Sequence, residues 1–133
     1  LDAEFRRALS PLRGRAFLVH HPAWGPLARD YGLVQLAIER EGHAPSGRHL
    51  RELVRRARRL GIRTVFVEPW CPRRQVEALC RELGARAVEL DPLGTPYPEH
   101  LREVLRRLRE ALREQRACPG HHGWHIMRAT CSC

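Results

Sequence analysis

The chain has 133 residues, of which 43% are hydrophobic and 29% charged, and a formal net charge of +9. This is one globular domain's worth of polypeptide, long enough to bury a core and too apolar to be a disordered segment. No apolar run approaches the ~20 residues that a bilayer-spanning helix needs, so a transmembrane segment in this chain is excluded.

All 24 basic residues are arginine, and neither Lys nor Asn occurs. A GC-rich genome accounts for that bias. Arg51, Arg55, Arg58 and Arg59 recur at helical spacing and read as a solvated helix face. Aromatic residues are only 6% and do not interleave with them, so no specific nucleic-acid partner is expected. The five cysteines, Cys71, Cys80, Cys118, Cys131 and Cys133, are an odd number and do not form a disulfide scaffold. The first residue is Leu1 and the single methionine is Met127, so the chain is expected to be a fragment whose upstream part is missing.

Residues 1–12 predict an amphipathic helix with Phe5, Leu9 and Leu12 on one side, ending at Gly14. Residues 15–20 form a buried-strand pattern. Residues 24–31 predict a short helix stopped by Gly32, and residues 33–38 a second strand. Residues 39–45 read as a loop. Ser46 can cap the next helix, which carries Leu50, Leu53, Val54, Ala57 and Leu60 on one face and stops at Gly61. Residues 62–67 are a third strand, residues 73–83 a helix ended by Gly84, and residues 85–90 a fourth strand. The last helix spans residues 97 to about 113, with Pro98 in its first turn and Leu101, Val104, Leu105, Leu108 and Leu112 facing inward. Strands separated by crossover helices predict an α/β fold: a four-stranded parallel sheet with helices on both faces and right-handed crossovers. This body occupies residues 1–115. Residues 116–133 form a Cys/His-rich tail.

In open parallel sheets, ligands bind beyond the carboxyl ends of the strands. His20 and His21 follow the first strand, Glu39 and Glu41 the second, Glu68 the third and Asp91 the fourth. No G-x-S-x-G elbow or phosphate-binding glycine loop is present. Imidazole and carboxylates at one edge suit a divalent transition metal, zinc or manganese. Taken singly, Glu39 and Glu41 read as solvated loop acids. Cys80 lies on the apolar side of its helix and reads as core, whereas Cys71 reads as more exposed.

The run Phe17-Leu18-Val19-His20-His21-Pro22-Ala23-Trp24-Gly25, followed by Tyr31-Gly32-Leu33, resembles the zinc/manganese solute-binding proteins of metal ABC importers. Glu41-Gly42-His43-Ala44-Pro45-Ser46, Val65-Phe66-Val67-Glu68-Pro69 and Leu90-Asp91-Pro92-Leu93-Gly94 resemble further stretches of that family in the same order. The resemblance covers residues 1–115. It implies the C-terminal lobe of a receptor that holds its metal between two α/β lobes. It also implies that His21 and Asp91 are metal ligands and that Glu68 is an acid of the metal site, either an outer partner or an occasional ligand. The remaining ligands belong to the missing N-terminal lobe. His20 is one place off the family pattern and is expected to be structural. Pro26 stands where the family usually has an aromatic.

The implied function is an extracytoplasmic receptor, not an enzyme, that captures zinc, or alternatively manganese, and delivers it to the permease of an ABC importer. Its expected location is the periplasm or the extracellular envelope. A small metal-dependent hydrolase with Glu68 as base is the alternative. An isolated lobe is expected to leave an apolar seam that includes Trp24 and Trp70. The tail, with Cys118, His121, His122, His125, Cys131 and Cys133, lacks the spacing of a zinc finger. It is expected to be a disordered or out-of-frame end rather than an accessory metal-capturing segment.

Overall fold

The computed structural model describes residues 1–40, 42–43, 45–94 and 98–115. The tail, Glu41 and Tyr97 therefore lie outside the described residues. Four short strands, β1 (Ala16–Val19), β2 (Val34–Ala37), β3 (Thr64–Val67) and β4 (Arg86–Glu89), form one sheet in the order β2-β1-β3-β4. All neighbouring pairs are parallel. The helices are α1 (Asp2–Leu9), α2 (Gly25–Asp30), α3 (Gly47–Leu60), α4 (Arg73–Leu83) and α5 (Pro98–Glu114). The first helix ends earlier than its periodicity suggests. Residues Ser10–Leu12 tighten into a 3-10 turn with Pro11 at its start, yet Leu12 stays in the core.

Strand alternation divides the core in two. Phe17, Val19 and Phe66 point to one face and pack with Phe5, Leu9, Leu12, Leu108 and Leu112 of the surrounding helices. Ala16, Leu18, Val65 and Val67 point to the other and pack against Leu53, Val54 and Ala57 of α3 and Val76 and Leu79 of α4. Burial on both faces explains why β1 and β3 read as continuous apolar runs. The edge strand β4 is different. Arg86, Ala87 and Glu89 are exposed, and charge on so short an edge discourages pairing with another chain.

The ends of α3 follow their sequence signals. Ser46 Oγ accepts the His49 N–H at 3.1 Å. Gly61 closes the helix at φ 71°, a left-handed conformation that costs glycine little. Ser46→Ala is expected to destabilise the fold by about 1 kcal/mol, read as a shift of the urea midpoint at constant slope. Ser46→Asp should restore most of the loss, because aspartate offers the same acceptor.

The last helix is tied to the lower edge of the sheet, away from the strand carboxyl ends. Arg15 Nη1 donates to the Leu112 carbonyl at 2.8 Å, the Gln115 side chain donates to the Ala16 carbonyl, and Arg86 pairs with Glu114. On the outer face of α5, Glu103 accepts hydrogen bonds from Arg106 and Arg107, which hold its carboxyl down at about 2. These groups are solvent-exposed enough that their contribution to stability is small. What there is persists above the ordinary glutamate pKa and fades as pH falls toward 2.

Candidate metal centre

The strand order creates a switch point. The chain leaves β1 toward β2 on one side, then returns across to β3 on the other. In open α/β sheets ligands bind beyond the carboxyl ends of the strands at such a point, which here lies between β1 and β3. Register decides which side chains meet there. In β1 and β2, Ala16 pairs with Val34 and Val19 with Ala37. In β1 and β3, Leu18 pairs with Val65 and Val19 with Phe66. The backbone pairing continues past the formal strands: Ile38 N–H donates to Val19, Glu39 N–H to His20, and His20 N–H to Phe66. Carried on two residues, the same offsets set His21 between Glu39 on one side and Glu68 on the other.

The side chains follow that placement. Glu68 is only 3% exposed, and both of its carboxylate oxygens are engaged. Oε1 accepts the His21 backbone N–H at 3.0 Å, and Oε2 lies 3.2 Å from His20 Nδ1. His20 is also buried, and its Nδ1 lies 3.9 Å from Glu39 Oε2. Glu39 Oε1 lies 3.5 Å from His21 Nδ1. The four residues thus form a closed ring: His21 backbone, Glu68, His20, Glu39, His21 imidazole. The His21 ring is 48% exposed, and its Nε2 makes no hydrogen bond or ion pair among the described residues.

Two readings of the sequence change here. Glu39 is not a solvated loop acid: its side chain is 20% exposed and faces both histidines. The signal that identifies it is register, since it is the β2 partner of His21, and register is invisible before the strands are paired. Trp24 does not belong to an exposed seam either; it is half-buried and packs on the core with Leu27 and Tyr31. Trp70 is 58% exposed, and Leu93 beyond β4 is 78% exposed. Both Cys71 and Cys80 are half-buried free thiols packed on the core, and burial raises the pKa of each. The expected contrast between them is therefore slight.

Asp91 lies one step beyond the β3–β4 pairing, in the loop before α5. Its Oδ1 accepts the Leu93 N–H at 2.8 Å, and its carbonyl lies 3.1 Å from His100 Nε2. A Cβ on Gly94 would sit 2.3 Å from the His100 ring, so glycine is what lets this loop close on α5. Among the described residues no hydrogen bond or ion pair joins Asp91 to the ring around His21. Among the described residues no group of three or more His, Cys, Asp or Glu is arranged to hold a metal ion. Pro26 is exposed in the first turn of α2.

A buried acid–histidine ring at the switch point, presenting one half-exposed imidazole, invites comparison with proteins that hold metals. Residues 1–111 match the family described as zinc-uptake complex component A, periplasmic. The chain belongs to this family.

Among its relatives is a zinc-binding protein, AdcA, of Streptococcus pyogenes serotype M6, 30% identical over 95 residues. The match takes in 70% of this chain and 18% of that protein. A putative metal-binding protein of Treponema pallidum is 29% identical over 122 residues, covering 86% of this chain and 39% of its own length. The crystal structure of ZnuA superposes with a TM-score of 0.77 at 37% identity, covering 84% of this chain and 44% of that one. A ZnuA deletion mutant with zinc bound gives 0.75, also at 37% identity, with coverage of 83% and 42%. The chain thus spans less than half the length of each of these proteins. The α/β fold with its all-parallel sheet agrees with them. No helix among the described residues is long and apolar enough to cross a membrane.

Proposed function

We propose that this chain is the C-terminal lobe of an extracytoplasmic receptor that captures zinc between two lobes and delivers it to the permease of an ABC importer. His21 and Asp91 are this lobe's ligands, and an N-terminal lobe supplies the others. Manganese is the alternative cargo, since imidazole and carboxylate serve both metals. The similarity to a ZnuA variant solved with zinc favours zinc. The periplasm or the extracellular envelope is the corresponding location.

The observation that carries this reading is the presentation of His21. Its backbone is clamped by a buried carboxylate while its ring stays half-exposed at the switch point. Glu68 spends both oxygens on His20 and His21, so it anchors the ligand strand rather than reaching the metal. Its burial, with only 3% exposed, also counts against a hydrolase using Glu68 as general base, because a base must reach water or substrate. A receptor, unlike a catalytic site, closes the coordination sphere with protein ligands.

Zinc titration by calorimetry tests the reading. Three proteins are compared: the intact two-lobed receptor, a chain ending at Gln115, and that shorter chain with His21→Ala. One lobe offers too few ligands, so the intact receptor should bind at least about 100-fold more tightly than the short chain. His21→Ala should abolish what the short chain retains. Equal affinity of the short chain with and without His21 would remove His21 from the site.

A further inference from the structure

We propose that Glu39 is the positioning carboxylate of the metal site: it holds the Nδ1–H of His21 and thereby leaves Nε2 as the atom that binds the cation. This inference rests on the assignment of His21 as a ligand and adds the group that orients it.

Three observations carry it. The first is distance, since Glu39 Oε1 is 3.5 Å from His21 Nδ1, while Nε2 is without a partner among the described residues. The second is that Glu39 is held by the sheet rather than by a wandering loop. Its N–H donates to the His20 carbonyl at 2.9 Å, and Ile38 before it, fully buried, donates to Val19. The third is the competition inside the ring. Glu68 already takes the His20 Nδ1 at 3.2 Å, against 3.9 Å for Glu39. The other oxygen of Glu39 is therefore left for His21.

The chemistry follows from the two nitrogens of imidazole. In the neutral ring one carries the proton and the other a lone pair, and the partner of one settles the state of the other. A carboxylate on Nδ1 selects the Nδ1–H tautomer, fixes the ring plane and raises the basicity of Nε2. Such outer partners change metal affinity by about 10–100-fold.

Nitrogen-15 NMR of the metal-free chain at a pH where imidazoles are neutral reads the tautomer directly. The His21 signals are those lost in His21→Gln. The wild-type chain should show His21 in the Nδ1–H form. Glu39→Gln should keep it, because the amide oxygen still accepts the proton. Glu39→Leu should shift it toward the Nε2–H form that free imidazole prefers. Glu39→Ala serves the same comparison if the leucine variant does not fold. An unchanged tautomer across all variants overturns the proposal.

Zinc affinity of the intact two-lobed receptor provides the second readout. Glu39→Leu should weaken binding about 10–100-fold, and Glu39→Gln by no more than about 3-fold. Equal, large losses in both variants would make Glu39 a ligand itself and overturn the positioning role. If His21→Ala leaves zinc binding intact, the assignment of His21 fails, and the tautomer measurement still reports whether Glu39 holds its ring.

Discussion

Phe66→Ala is expected to destabilise the fold by about 3–5 kcal/mol. Phe66 lies on a central strand, is 1% exposed, and meets Phe17 edge-on with ring centroids 6.4 Å apart. Around it stand Val19, Leu90, Val104 and Leu108, contributed by two further strand ends and by α5. Removing the ring opens a void that several elements must collapse to fill. Strands hydrogen-bonded on both sides cannot shift far, so much of the cavity should remain. The loss is a large share of the roughly 5–15 kcal/mol that holds a domain of this size together. Urea unfolding should show a lower midpoint with an unchanged slope. Phe66→Leu should cost roughly half as much, since it refills part of the space. A loss below about 1 kcal/mol would mean that the two faces of the sheet pack independently of this ring.

Glu68→Leu should be nearly as damaging, by about 2–4 kcal/mol, for a different reason. The substitution takes the acceptor from two donors: the part-buried His21 N–H and the buried His20 ring nitrogen, which keeps only Glu39 at 3.9 Å. The cost comes from those orphans rather than from the loss of an attraction. A second substitution that removes an orphan should therefore give stability back. Glu68→Leu with His20→Leu is expected to be more stable than Glu68→Leu alone by about 1 kcal/mol or more. Denaturation of both single variants and the double variant measures that coupling. Additive losses would show that His20 and Glu68 do not depend on each other. On the proposed function, Glu68→Leu also frees the backbone of His21 and should weaken zinc binding even where the fold persists.

Both results depend on the sheet, and the sheet was the most legible part of this protein. Apolar runs at β1 and β3, helix faces at three- and four-residue spacing, Ser46 before α3 and glycines after α3 and α4 are local signals with local physics. Hydrogen-bond geometry and burial on one or two faces dictate them within a few residues of chain. They were enough for an α/β fold with a parallel sheet. The small discrepancies have local causes too, such as Pro11 tightening the end of the first helix into a 3-10 turn.

The site was legible only as a collection of residue types. His20, His21, Glu39, Glu68 and Asp91 all follow strands, and that alone places them along one edge. Local sequence settles which element each residue ends and which chemistry the edge can offer. Tertiary structure decided the rest. Strand order put β1 between β2 and β3, and register set His21 level with Glu39 and Glu68 rather than one residue away. One step of register reverses every side chain, so no inspection of β1 or β2 alone distinguishes a solvated Glu39 from one that faces two histidines. The same holds for Trp24, whose half-burial depends on Leu90 and on Val104 and Leu108 of α5, far along the chain. Pairings between distant segments are set by the shared burial of both faces of the sheet, and that is a property of the folded whole.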